Sequence, residues 1–492
     1  MKTEIFLLRD IQTDDAKLKA ILSYLNTDVS HFDIQRLKDF LLTLRDDLLV
    51  SVETDYVDAM YRDEYYHFYA TKLHPYGRNC LKLSFFKSGN LEVGCPVDYS
   101  KADAICKDYL GFLVLRPLSA LIGRNVIAPE AKKHGLNDID ICRSHVQTTA
   151  LGLKVKVDGF PHASQDGEMM ACAETTLWSI SEYYGNKYPG YKPILPSEIL
   201  EAMRPTSHQR QLPSRGLTFD QISYGFNTFG FCPKIYQLCM MDSKTKKPVM
   251  NEEMKEVFTC YIESGFPLAI CLQSETIGHA VVCVGRNKQD RSRVEKETIN
   301  SKNYFVWNRS IKEFVFNDDN YPCYQKTNIE KPTAYYNRID WNDVRISSFM
   351  VPLPRKVYMD AYTAIRFSKN IMVQLMPENT VVKTYLASSR SFRDHLANSK
   401  TLSNDDKALL LSMELPRFVW VSEYTDRDSF EKGIINNIMI IDATEMSDSN
   451  QIPIILLMRD QQGYAYNPIK NIFEMLVLPD RLSLETYNKN II

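Results

Sequence analysis

"QDGEMMACAETTLW", residues 165–178, decides how the middle of this chain is read. After Cys172, residues Ala173, Leu177, Ile180 and Tyr184 fall on one stripe at helical spacing, which predicts a buried helix starting at or just before the sulfur. The loop before it, "ASQDGEMMA", contains Gly167 and has the backbone freedom to expose the thiol. A cysteine in that place is either one more buried thiol or a nucleophile. The thiolate is the attacking species, and the partial positive charge of a helix N-terminus favours it.

A nucleophile needs partners that are adjacent in space, not in sequence. Nine histidines are available, and His279 heads the apolar strand "HAVVCVG" (279–285), directly after Gly278. A ring at the mouth of a buried strand can reach a neighbouring helix terminus. The imidazole then needs an acceptor to hold its tautomer and angle. "FVFNDDN" (314–320) ends the next strand on Asp318 and Asp319. Gln165 offers a side-chain amide for an oxyanion, beyond the backbone N–H of the cysteine itself. Each residue also has an ordinary reading: a core thiol, a strand-end histidine bonded to backbone, a turn at "NDDN", a surface glutamine. Their order along the chain favours the catalytic one.

That order resembles the papain-like cysteine peptidases: glutamine, cysteine on a helix, histidine on a strand, acid on the following strand. It is especially similar to the bacteriocin-processing (double-glycine) branch, in which a helix ending like "ESGFPLAI" (263–270) runs into a strand like "GHAVVCVG" (278–285). The likeness covers roughly residues 155–330. It implies an α+β fold with a papain-like core, Cys172 as nucleophile and His279 as general base and acid. Asp318 would orient the imidazole, with Asp319 as its substitute, and Gln165 would line the oxyanion hole. The implied activity is hydrolysis of peptide bonds in a protein or peptide substrate. The same triad also serves transglutaminase and amidase chemistry. A protein that kept the fold for binding alone, or an enzyme held latent until a regulatory protein binds, are the other readings.

The bulk numbers agree with an ordinary globular protein. Of 492 residues 44% are hydrophobic and 24% charged, enough for more than one core. A net charge of −2 gives no electrostatic reason to expect nucleic acid or an anionic membrane as partner. The start, "MKTEIFLLRD", is too short and too charged in its apolar run for a signal peptide, and "YLGFLVL" and "IINNIMIIDA" fall short of a membrane span. Eleven cysteines, an odd number without a CxxC pair, predict reduced thiols and a cytoplasmic protein. No cofactor is expected. Cys271, His279 and Cys283 are close in sequence, but their spacing matches no zinc pattern, and no phosphate-cradling glycine motif occurs.

Composition divides the chain into 1–150, an N-terminal α+β accessory domain; 151–335, the papain-like catalytic core; and 336–492, a C-terminal α+β accessory domain. In the first, "DIQRLKDFLLTLRDDLL" (33–49) and the tyrosine-rich "TDYVDAMYRDEYYHFYATKL" (54–73) predict helices, and "CLKLSFF" (80–86) and "YLGFLVLRPL" (109–118) strands. In the core, Gly185 is expected to stop the cysteine helix, Ser197 to cap "PSEILEAM", and Thr218 with Gln221 to form a capping box. The charged insert "RNKQDRSRVEKETINSKN" (286–303) and the basic run "DSKTKKP" (242–248) are expected as solvated loops. "ELPRFVWVSEY", "IINNIMIIDAT" and "PIILLMRD" predict strands of one C-terminal sheet, and "SNDDKALLLSM" a capped helix.

Overall fold

The cysteine helix forms where its apolar stripe predicts, as Cys172–Lys187, with Ala171 as N-cap and Cys172 as the first helical residue. It is buried on all sides, not on one stripe, because Thr175, Ser179, Ser181 and Glu182 are covered as well as the apolar residues. Gly185 does not stop it. A Cβ there would lie 2.4 Å from the Pro193 nitrogen, so the glycine permits close chain packing while the helix continues.

The computed structural model describes residues 3–25, 32–241, 248–446, 453–467 and 469–491, and is an α+β protein with both helices and sheets. It divides into two compact units, the first of residues 1–233, 269–287 and 315–346, the second of 234–268, 288–314 and 347–492. Segment 1–150 joins the histidine-bearing part of the middle segment. Strand Ile139–Ile141 pairs antiparallel with Gly285–Asn287, and the Tyr324 hydroxyl donates to the Ile127 carbonyl at 2.7 Å. The pairing explains Gly285, where a Cβ would stand 2.2 Å from the Asp140 carbonyl oxygen.

The first unit contains an antiparallel five-stranded sheet, in spatial order Thr3–Leu7, Leu49–Tyr56, Cys80–Phe86, Tyr109–Leu115, Ile122–Ile127. The tyrosine-rich segment is a shorter helix than its composition suggests, Ala59–His67. Asp58 caps it by accepting from the Tyr61 N–H, and Thr54–Tyr56 before it is the end of a strand. A second sheet places Gln325–Asn328, Glu313–Asn317, Gly278–Asn287 and Leu268–Gln273 side by side, so the histidine strand is central. Arg345–Pro354 and Phe231–Gln237 are strands in which the chain passes from one unit to the other. Helix Phe219–Thr228 has the expected reciprocal Thr218–Gln221 capping box. Helix Pro196–Met203 starts on proline after Leu195, and Ser197 instead bonds the Asp63 carboxylate through its N–H and hydroxyl.

The second unit is built on an eight-stranded sheet: Glu295–Ile299, Lys302–Val306, Val381–Ser388, Phe418–Thr425, Asn437–Asp442, Ile454–Arg459, Gln462–Asn467 and Ile472–Val477. The last five include the predicted C-terminal strands, and Ser403 caps Asn404–Leu411 as expected. The charged insert is not a loop throughout. Glu295–Ile299 pairs with Lys302–Val306 as a half-buried hairpin on the edge of this sheet, with Glu297 in ion pairs to Arg309 and Lys369. Helix Glu252–Glu263, placed by composition in the catalytic core, belongs to this unit, where the Cys260 thiol donates to the Thr384 carbonyl at 3.3 Å. Of the basic run, residues 242–247 lie outside the described residues.

Candidate active site

The loop before the cysteine turns on Asp166. Asp166 Oδ1 accepts the N–H groups of Glu168, Met169 and Met170, each at 2.9 Å, and its Oδ2 accepts the Tyr69 hydroxyl at 2.8 Å. This Asx turn, with Gly167 at φ +74°, carries the chain around to Cys172. The Cys172 side chain is half-buried and lines a cleft of about 440 Å³ together with His279. The other walls of the cleft are Arg215–Phe219 and the turn Gln273–Gly278.

His279 comes from the start of its strand and is 7% exposed. Its Nε2 lies 3.0 Å from Asp318 Oδ1 and 3.5 Å from Asp319 Oδ1. The Cys172 thiol lines the same cleft, and with Nε2 held by the carboxylate, Nδ1 is the ring nitrogen left to exchange a proton with it. Burial works against a charged ring. The charge and hydrogen bond of Asp318, with the Cys172 thiol and Asp319, outweigh it and hold His279 well above the usual histidine range.

Asp318 follows the strand Glu313–Asn317 and is fully buried. Its Oδ1 also accepts the Asn320 N–H at 2.9 Å, and its Oδ2 accepts the hydroxyls of Tyr335 at 2.9 Å and Tyr336 at 2.7 Å. Burial pushes this carboxyl up, but the His279 charge and these donors prevail and keep it below the usual carboxylate range. Asp319 behaves in the opposite way. Both its carboxylate oxygens are buried without a hydrogen-bond partner, and burial with the neighbouring Asp318 charge raises it, against the pull of His279 and Arg36. Of the two acids, Asp318 is the one built to stay ionised against the imidazole.

Gln165 lies near these side chains, but its Nε2 donates to Asn320 Oδ1 at 2.8 Å. Asn320 Nδ2 in turn lies 3.4 Å from His279 Nε2. The glutamine therefore braces the acid turn, with one amide hydrogen committed there. Several residues that the sequence did not flag complete the site. Trp341 stacks on Tyr336 (3.8 Å, 12°) and meets the His279 ring edge-on (5.5 Å, 85°), screening the histidine–aspartate pair. His162 Nε2 bonds the Asp318 carbonyl at 3.0 Å, and Arg36, from helix Ile34–Leu42, donates to the Asp319 carbonyl. The signal for Tyr335, Tyr336 and Trp341 was the aromatic cluster after the acids; nothing local marks Arg36 or His162.

No protein-family model matches this chain, and no curated protein matches it.

Among the described residues, His279, Asp318 and Asp319 form the one group of three metal-ligating side chains. They fit a cation poorly. Asp318 already accepts four hydrogen bonds, and the Arg36 guanidinium, which donates to the Asp319 carbonyl, adds positive charge beside the group. Cys271 lines the cleft, whereas the Cys283 thiol is buried and turned to the Gly285 carbonyl. All eleven cysteines are free thiols. No helix among the described residues is long and apolar enough to cross a membrane.

Proposed function

We propose that this chain is a cysteine peptidase with a papain-like core, acting on protein or peptide substrates through Cys172, His279 and Asp318. The observation that carries this reading is a thiol at the N-terminus of a buried helix and an imidazole lining one cleft, with a buried carboxylate bonded to the ring. His279 takes the Cys172 proton, and the helix N-terminus favours the thiolate beside the imidazolium. The thiolate attacks the scissile carbonyl, and the Cys172 N–H with the second amide hydrogen of Gln165 receives the oxyanion. His279 then gives its proton to the leaving amine as the C–N bond breaks. A water molecule, deprotonated by the same ring, releases the acyl group and restores the thiol. Asp318 holds the ring by Nε2 throughout, so that Nδ1 faces the sulfur. The eleven free thiols suit a reducing, cytoplasmic setting.

The test is a thiol-reactivity map of the folded protein with chloroacetamide near pH 6, read by mass spectrometry, in wild type and His279→Ala. Selective labelling of Cys172 that vanishes in the variant supports the reading. Labelling there no faster than at the other ten cysteines overturns it.

A further inference from the structure

Beside the catalytic cleft lies a second cavity of about 380 Å³, and the two share the segment Arg215–Thr218 as a common wall. The second cavity has an apolar floor of Ile199, Leu200, Met203 and Leu217. Its polar lining is largely spent on its own framework. The Thr206 and Ser207 hydroxyls donate to the Met203 carbonyl, Gln211 donates to the Leu200 carbonyl, and Gln221 is tied to Thr218 and Thr206. Glu174, its one acidic group, is 2% exposed, accepts the Ser214 hydroxyl at 2.5 Å, and is raised by burial toward its neutral form.

The lining groups left uncommitted are His208, Gln209, Arg210 and Arg215. All but Gln209 carry or can carry positive charge, and among the described residues neither arginine makes an ion pair. Arg215 lines both cavities, and so stands between Cys172 and the apolar floor. Gly216 beside it has φ +79° and nothing within 4 Å of where a Cβ would lie, so the wall leaves room for an extended peptide to pass.

We propose that this cavity is a specificity subsite for a carboxylate on an aliphatic stem, carried by a peptide residue close to the scissile bond and received by Arg215 and Arg210. The inference rests on the peptidase reading for its meaning in catalysis, but not for its test. The carboxylate comes from a glutamate or aspartate side chain or from a free chain terminus. The guanidinium fork matches either, and the floor accepts the methylene groups of a side chain.

The experiment is protection of Cys172 from a maleimide, which alkylates even an unactivated thiol, by short blocked peptides, with the full chain. Peptides that differ only in carrying Glu, Gln or Lys are compared with a peptide whose sole carboxylate is its C-terminus. The expected result is half-protection by the Glu peptide at about tenfold lower concentration than by the Gln peptide, the order of two solvent-facing ion pairs. The C-terminal carboxylate peptide protecting better than the Glu peptide assigns the site to chain ends. In Arg210→Glu/Arg215→Glu, two exposed positions without partners, preference passes to Lys while the melting temperature stays put. Equal protection by Glu, Gln and Lys peptides, or a preference untouched by the double variant, overturns the proposal even when chloroacetamide labels Cys172 selectively. An inert Cys172 with Glu-selective protection would instead overturn only the peptidase reading.

Discussion

Replacing Asp318 by asparagine keeps the volume of the side chain and removes its charge. In the wild type, His279 Nε2 and Asp318 Oδ1 are 3.0 Å apart and both groups are buried. Unit charges at that separation attract by about 5 kcal/mol at an effective dielectric of about 20. Losing one partner of a buried pair costs about 3–5 kcal/mol in practice. Asparagine still accepts from a tyrosine hydroxyl, so the lower end applies, about 3 kcal/mol. At 1.4 kcal/mol per decade this is roughly a hundredfold fall in the imidazolium–thiolate population. The direction with pH follows from the partners of His279. Its folded value lies above the unfolded value near 6.5, so the wild-type pair contributes stability that is fully present below about pH 6.5. That contribution is lost as pH rises through the folded value. In the variant, burial is no longer outweighed, the ring is neutral at pH 6, and acid becomes destabilising instead. The assay is the rate of chloroacetamide labelling at Cys172 from pH 5 to 9, with thermal melts at the same pH values. Wild-type labelling at pH 6 should exceed that of Asp318→Asn about a hundredfold, and the two should converge above pH 8.5. Equal rates at pH 6 in a folded variant would refute the assignment of Asp318 as the acid that charges the ring.

Asp319→Asn should do something different, because burial raises Asp319 and its ionisation works against the fold. The folded state holds that proton above the unfolded value, so wild-type stability from this group falls as pH rises; the variant should melt higher than wild type at pH 8 and gain nothing at pH 4. Tyr336→Phe removes a 2.7 Å bond to a buried carboxylate and should cost about 1.5–3 kcal/mol, measured by urea unfolding, with Cys172 labelling at pH 6 slowed as well. Gln165→Ala should leave chloroacetamide labelling at Cys172 within about threefold while slowing peptide turnover about a hundredfold, the usual cost of one oxyanion donor; equal loss in both assays would mean it only braces Asn320. Gly285→Ala forces a Cβ to 2.2 Å from the Asp140 carbonyl and should lower stability by about 1–3 kcal/mol through the Ile139–Ile141 pairing, read as a drop in melting temperature.

What the sequence by itself determined is local. The stripe Ala173–Leu177–Ile180–Tyr184 set the cysteine helix, the apolar run after His279 set its strand, and "VFNDDN" set a strand ending in an acid turn, because periodicity and turn chemistry act between near neighbours. The capping box at Thr218 was legible for the same reason, and the helix stop at Gly185 was misread because that glycine answers to Pro193, a packing contact and not a cap. Only the tertiary structure decided which of two adjacent acids faces the imidazole. The choice depends on donors 17 and 18 residues away, Tyr335 and Tyr336, and on the direction in which each carboxylate leaves the turn. It also decided that Gln165 bonds Asn320 and that residues 1–150 share a unit with the histidine strand. Arg36 reaches the Asp319 carbonyl across 283 positions of chain. Charge pairing and burial at such separations depend on distance in space, and no pattern of neighbouring residues encodes that distance.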